Sequence, residues 1–211
     1  MTSDSNDMAL LLKRAAAGER AAFEELVTPH RDRLARMVHL RLHRRLLGRV
    51  RESDVLQEAF ANIFHHLGEY TENSSLPLFL WLRTMTCTTL GEIHRRHLGA
   101  QGDDAQSEVS LHRGGLPVAN SMSLAAQMLG KLMSRSPEET KAETRLYVQQ
   151  ALSAMAAVDR ELLALRHFEQ LSTLEAAQVL GMSKGDAGSR YLKALKRLRE
   201  ILSQIPGFEK L

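Results

Sequence analysis

Apolar residues return at intervals of three and four along almost the whole of this chain, and runs that alternate apolar with polar are nearly absent. A 3.6-residue helix gathers such positions on one side, whereas a strand needs a period of two. The spacing therefore predicts an all-α fold. A first helix is expected over about 7–17, ending at Gly18. A longer one follows through "ERAAFEELVTPHRDRLARMVHLRLHRRLL", where Phe23, Leu26, Val27, Leu34, Val38 and Leu42 form one stripe. Pro29 kinks or divides it, because proline lacks the N–H that a helix interior uses. Ser53 is the expected N-cap of "DVLQEAFANIFHHL", which stops at Gly68. The polar stretch "GEYTENSSLP" then forms a loop, and Pro77 opens "LFLWLRTMTCTTLGEIHRRHL".

Composition changes after His97. Residues 99–140 are rich in Gly, Asp, Ser and Pro and carry one short helical patch, "SLAAQMLG". So long a stretch without a strong pattern exceeds ordinary loop length and reads as a linker. The expected organisation is two small helical domains, 8–98 and 141–205, joined by residues 99–140. Helical pattern resumes at "SPEETKAETRLYVQQALSAM", with Ser136 as cap and Pro137 in the first helical position. Three further helices are expected near 158–169, 172–180 and 183–203.

The totals exclude several classes. A chain of 211 residues, 44% hydrophobic and 25% charged, is long enough to bury a core. Its net charge of +3 is unevenly placed: between His30 and Arg51 stand eight arginines and one acid, Asp32. Such a block is either a solvated helical face or a surface for a polyanion. Cys87 is the only cysteine, so an intramolecular disulfide is impossible, in keeping with a reducing cytoplasm. The N-terminus is acidic before a short apolar patch, the reverse of a secretory signal, and no run approaches the ~18 apolar residues of a membrane span. The expected location is the cytoplasm, away from membranes.

The segment "LSTLEAAQVLGMSKGDAGSRYLKALKRLRE" has the marks of a helix-turn-helix. Ser172 and Glu175 have capping-box spacing, Gly181 ends the first helix, and Ser183 caps the second with Asp186 three residues on. Leu192, Leu195, Leu198 and Leu202 are expected as the buried stripe, with Lys196 and Arg199 among the cations outside it. Gly185 and Gly188 weaken the first turn by about 1 kcal/mol each relative to alanine. Close approach of backbone to a duplex explains that weakness, since this turn of a recognition helix enters the major groove. Lys184, Ser189, Arg190, Lys193 and Arg197 are the expected duplex contacts. The competing reading is a helical hairpin with a solvated basic face.

Nearer the N-terminus, Asp54, Gln57, Glu58, Ala61 and His65 share the polar face of an amphipathic helix, which on pattern alone faces water. Tyr70 lies in the loop beyond it, ahead of Phe79 and Trp81, and His94, Arg95, Arg96 and His97 close the next helix. Aromatics with cations behind them suit a single strand with unstacked bases, although aromatics at this spacing also serve as core.

"SDVLQEAF", "FLWLR…HRRHLGAQ", "VDRELLALRHFEQLS" and "AAQVLG…RYLKALKRL", in that order, resemble the extracytoplasmic-function group of sigma-70 factors, and in particular a subgroup with an H-L-G-A-Q segment and a long linker. The resemblance runs from about residue 8 to 204. It implies binding to core RNA polymerase and to promoter DNA, duplex and melted, by a protein that is monomeric when free. It implies polymerase docking through Asp54, Gln57 and Glu58 at the D-x-x-Q-E positions. Melted-strand contact falls to Tyr70, Asn73, Ser74, Arg83, His94, Arg95 and Arg96, and the second domain reads the element near minus thirty-five. An anti-sigma protein is a further candidate partner. Two departures stand out: Asp186–Arg190 replaces a more usual Thr-Val-Lys-Ser-Arg-like run, and Gly102-Asp103-Asp104 stands where a basic residue is expected. Asp186 either caps its helix or accepts from a cytosine amino group.

A conventional helix-turn-helix regulator is the alternative; it predicts duplex binding without polymerase, usually as a dimer. Catalysis is not expected, nor any cofactor or metal. Cys87 with His94 or His97, and the set His65, His66, His94 and His97, lack the spacing of a nucleophile–base pair or a metal site.

Overall fold

The computed structural model describes residues 2–73, 75–98, 117–132 and 138–203, and every regular element among them is helical. Two compact units result: Met1–Val38 with Arg44–Gln101, and His39–His43 with Gly102–Leu211. No helix among the described residues is long and apolar enough to cross a membrane.

The first unit contains α1 (Thr2–Ala16), α2 (Arg20–Val27), most of α3 (Arg31–Arg41), α4 (Glu52–Asn73) and α5 (Leu78–Leu98). Gly18, at φ +92°, takes the left-handed conformation that lets the chain leave α1. Pro29 divides rather than kinks: a 3₁₀ turn over Thr28–His30 separates α2 from α3. Phe23, Leu26, Leu34, Val55, Ile63, Leu67, Leu82 and Leu90 form the buried interior. Phe23 meets Phe60 and Phe64 edge-on, at 6.5 and 5.1 Å between ring centres.

Helix α4 differs from expectation at both ends. Ser53 is not its cap. Instead Asp54 reaches back, Oδ2 accepting the Arg51 N–H at 3.1 Å, while the Ser53 hydroxyl donates to Asp54 at 3.3 Å. At the other end the helix passes through Gly68 and continues to Asn73, so Tyr70 is helical rather than in a loop. Three contacts offset the ~1 kcal/mol that glycine costs. The Thr71 hydroxyl donates to the Gly68 carbonyl at 2.7 Å, the Tyr70 hydroxyl donates to the Leu76 carbonyl at 2.9 Å, and the Tyr70 ring lies 4.6 Å from that of Trp81. Helices α4 and α5 run antiparallel: Tyr70 meets Trp81, Asn62 donates to Thr89 at 3.2 Å, and Glu58 meets Arg96.

The second unit comprises α6 (Ser121–Leu132), α7 (Glu138–Ser153), α8 (Ala157–Leu163), a π-turn over Ala164–Phe168, α9 (Thr173–Leu180) and α10 (Lys184–Leu202). The patch expected in the linker is thus a twelve-residue helix, opened by Asn120, whose side-chain oxygen accepts the Ser123 N–H at 2.7 Å. Leu124, Ala125 and Leu129 of α6 pack with Val148 and Leu152 of α7 in one core with Leu163, Ala194, Leu198 and Leu202. Arg160 Nη1 donates to the carbonyls of Leu152, Ser153 and Met155, closing the end of α7. Gln170, at φ +57°, ends the π-turn, and the Leu171 N–H reaches the Leu165 carbonyl at 2.9 Å. Ser136, Pro137 and the Gly102-Asp103-Asp104 stretch lie outside the described residues, as do Ser74 and the side chain of Asn73.

The arginine block behaves in two ways. Arg44, Arg45, Arg49 and Arg51 are exposed, but Arg41 is buried within the second unit. Its guanidinium pairs with Glu161 and Glu169, both buried. Glu161 also accepts the Ala119 N–H at 2.8 Å, and Asn120 Nδ2 donates to the carbonyls of Leu40 and Leu42 at 3.0 and 3.3 Å. A charged group this deep persists only where its partners are as well organised as these.

Candidate nucleic-acid interface

Helices α9 and α10 are built by their caps. Ser172 Oγ accepts the Glu175 N–H at 3.2 Å while Glu175 accepts the Ser172 N–H at 2.7 Å, so both halves of the box are made. Gly181, at φ +62°, ends α9 in the left-handed conformation. Ser183 Oγ then accepts the Asp186 N–H at 3.0 Å and donates to the Asp186 carboxylate at 2.7 Å. Asp186 is therefore a capping residue whose carboxylate binds the hydroxyl of the cap rather than its backbone N–H.

Lys184, Ser189, Arg190, Lys193 and Arg197 are all exposed on α10. Arg190 donates to Asp159 at 3.0 Å, and Arg197 lies 3.5 Å from Glu200. A Cβ added at Gly185 or Gly188 would meet its nearest neighbour at 3.8 or 3.9 Å, ordinary contact. Internal packing thus does not require either glycine.

One expectation fails. Leu192 is 66% exposed, and the buried stripe is Ala187, Ala194, Leu198 and Leu202, with Tyr191 and Leu195 partly buried. Tyr191 takes the inward position: its hydroxyl meets His167 Nε2 at 3.0 Å and Arg166 lies over its ring. Burial, with Arg166 adding to it, holds the His167 imidazole below the ordinary histidine range. Stepping by three and four from Ala187 through Tyr191 to Ala194 gives this stripe from sequence alone.

In the first unit, Asp54 and Gln57 are exposed on α4, and the N–H and guanidinium of Arg51 hold the Asp54 carboxyl below its usual range. Gln57 lines a cavity of about 510 Å³ with Phe23, Phe60 and Phe64. Glu58 receives the Arg96 guanidinium. Tyr70 and Trp81 are half-buried and stacked, and Arg95 and Arg96 are exposed. Arg83 and His94, by contrast, are each 3% exposed. They fall on the inner stripe of α5 with Thr86, Cys87 and Leu90, so the structure does not bring them to the surface that carries Arg95 and Arg96.

Residues 145–198 match the family model for sigma-70, region 4. The RNA polymerase sigma-E factor of Streptomyces coelicolor is 45% identical over 58 residues, 28% of this chain and 33% of that protein. Longer matches join it. The ECF RNA polymerase sigma factor SigW of Bacillus subtilis is 21% identical over 195 residues, 92% of this chain and 96% of SigW. The ECF RNA polymerase sigma factor BldN of Streptomyces coelicolor is 24% identical over 202 residues, 95% of this chain and 67% of BldN. Over nearly its whole length the chain is similar to extracytoplasmic-function sigma factors, and its C-terminal helices match sigma-70 region 4.

Its fold is that of CnrH, solved in complex with the cytosolic domain of CnrY: TM-score 0.56, 21% identity, 92% of this chain and 96% of that one. The match to the sigma-E factors spans about a third of their length. The chain's one thiol, Cys87, is buried on α5.

Proposed function

We propose that this chain is a sigma factor of the extracytoplasmic-function group, which binds core RNA polymerase, carries it to promoters and holds their melted strand. The observation that carries the reading is the outer side of α10, where Lys184, Ser189, Arg190, Lys193 and Arg197 stand exposed after a fully capped α9 inside the region 4 match. A recognition helix meets the major groove in this way, with cations contacting phosphate and the first turn lying close to the bases.

The first domain, 8–98, is assigned to docking and strand capture, the second, 141–205, to the duplex, and 99–140 to the connection between them, of which α6 packs into the core of the second unit. Asp54, Gln57 and Glu58 dock on polymerase. Tyr70 with Trp81 offers an aromatic platform for an unpaired base, with Arg95 and Arg96 for its phosphates, and Asn73 and Ser74 are assigned to the same strand. Arg83 and His94, being buried, support the platform from within. Each contact is weak alone; carriage on one polymerase raises the effective concentration of both. The subgroup with the H-L-G-A-Q segment, a monomeric free state and a cytoplasmic location are part of the same proposal, and an anti-sigma protein is a candidate occupant of the docking face.

Co-elution of the purified chain with core RNA polymerase on a sizing column, followed by binding of a promoter duplex, tests it. A complex that forms with the chain and is weakened by Asp54→Arg is the expected result. Tight duplex binding without any polymerase complex would turn the reading to a conventional helix-turn-helix regulator.

A further inference from the structure

The acids at the two docking positions are already occupied by arginines of this chain: Asp54 by Arg51, and Glu58 by Arg96. The second pair joins α4 to α5 and unites a residue assigned to polymerase with one assigned to the melted strand. We propose that the Glu58–Arg96 ion pair is a latch that couples docking to strand capture. A cation on the docking partner competes for Glu58 and releases Arg96 to a phosphate of the unpaired strand. The inference rests on the docking and strand-capture reading above and adds to it the residue through which one event assists the other.

Geometry supports the release. Trp81 and Arg96 are fifteen positions apart on α5. A regular helix separates them by ~22 Å along its axis and leaves them ~60° apart around it, on the same side. A strand stacked on the Tyr70–Trp81 platform and running along α5 therefore reaches Arg96. Asp54 and Glu58, one turn apart on α4, point to one side, so a basic partner surface meets both together. The Arg96 and Glu58 side chains are 55% and 39% exposed, so the pair exchanges readily with an incoming charge. Arg95, 72% exposed, pairs instead within its own helix, 4.0 Å from Glu92.

The test is a cycle of four full-length chains, the wild type, Glu58→Gln, Arg96→Gln and the double variant, titrated into a fluorescein-labelled oligo(dT) strand at low salt. Breaking the pair in Glu58→Gln should tighten strand binding about two- to fivefold, and the gain should vanish when Arg96 is already Gln. Glu69→Gln removes a charge from the same helix without touching the pair, and its effect should be the same in both backgrounds. An equal gain from Glu58→Gln with and without Arg96 would mean simple charge removal and overturn the latch. Loss of the gain altogether, or no strand binding by any chain, overturns it as well. Co-elution with core polymerase separates this failure from that of the parent reading. If Glu58→Gln weakens co-elution while strand binding is unmoved, docking stands and only the latch falls; if Glu58→Gln leaves co-elution unchanged, the docking role of Glu58 falls with it. Circular dichroism of each variant guards against a loss of helix.

Discussion

Arg190 Nη1 donates to Oδ1 of Asp159 at 3.0 Å, so the arginine on the outer side of α10 is held by an acid from the first turn of α8. The tie restrains the guanidinium and cancels part of its charge. Asp159→Asn should raise affinity for any duplex, promoter or scrambled, and narrow the ratio between them. Arg190→Ala should weaken duplex binding and lower the slope of log affinity against log salt by about 0.9. Anisotropy titrations over a range of salt check both.

Gly185→Ala and Gly188→Ala should each stabilise the fold by up to about 1 kcal/mol in urea unfolding, because α10 has ordinary space for a methyl at either position. Both should weaken duplex binding. A loss of stability would mean that the glycines serve internal packing instead.

Arg41→Met should cost about 3–5 kcal/mol in urea unfolding, since it leaves Glu161 and Glu169 buried without their cation. Adding Glu161→Gln and Glu169→Gln should recover much of the loss.

His30 and His167 are both held below the ordinary histidine range, chiefly by burial, with Arg33 and Arg166 adding to it. The unfolded chain therefore binds protons at higher pH than the folded one. Stability should be full above about pH 6.5, decline as pH falls through the window between 6.5 and the lower folded values, and level off beneath them. His30→Gln and His167→Gln should each flatten part of that decline, measured as the midpoint of urea unfolding against pH.

Leu192→Ala should change stability by no more than about 0.5 kcal/mol, because the side chain is largely in solvent. Leu198→Ala, in the buried stripe, should cost about 2–5 kcal/mol. The same unfolding measurement distinguishes the two.

Most of the helical order was legible from apolar spacing and turn chemistry. The Ser172–Glu175 box, the Gly181 terminus and the Pro29 break need only local interactions, and local interactions are written in adjacent residues. The points of departure depend on neighbours distant in sequence. Gly68 marks a helix end by propensity, yet Tyr70 stacking on Trp81 carries α4 past it. Arg83 and His94 are polar by type, but their positions on the inner stripe of α5 bury them, and that stripe is legible in the spacing of Leu82, Thr86, Leu90 and Ile93. Leu192 is the converse case, apolar by type and exposed by position. No signal in sequence announced that Arg41, among eight arginines, would be the buried one, because Glu161 and Glu169 lie far along the chain.

That separation also sets a timetable. Glu161 follows Arg41 by 120 residues. At ribosomal speeds of about 5–20 residues per second, Arg41 leaves the ribosome on the order of ten seconds before its first carboxylate exists. Until then the segment His39–His43 belongs to a unit whose synthesis is still incomplete. The N-terminal helices can pack during this interval, but the second unit cannot close its interior around a charge until translation is almost complete. A ribosome that stalls before Glu161 is made would therefore leave a nascent chain with Arg41 still in water and the second unit open.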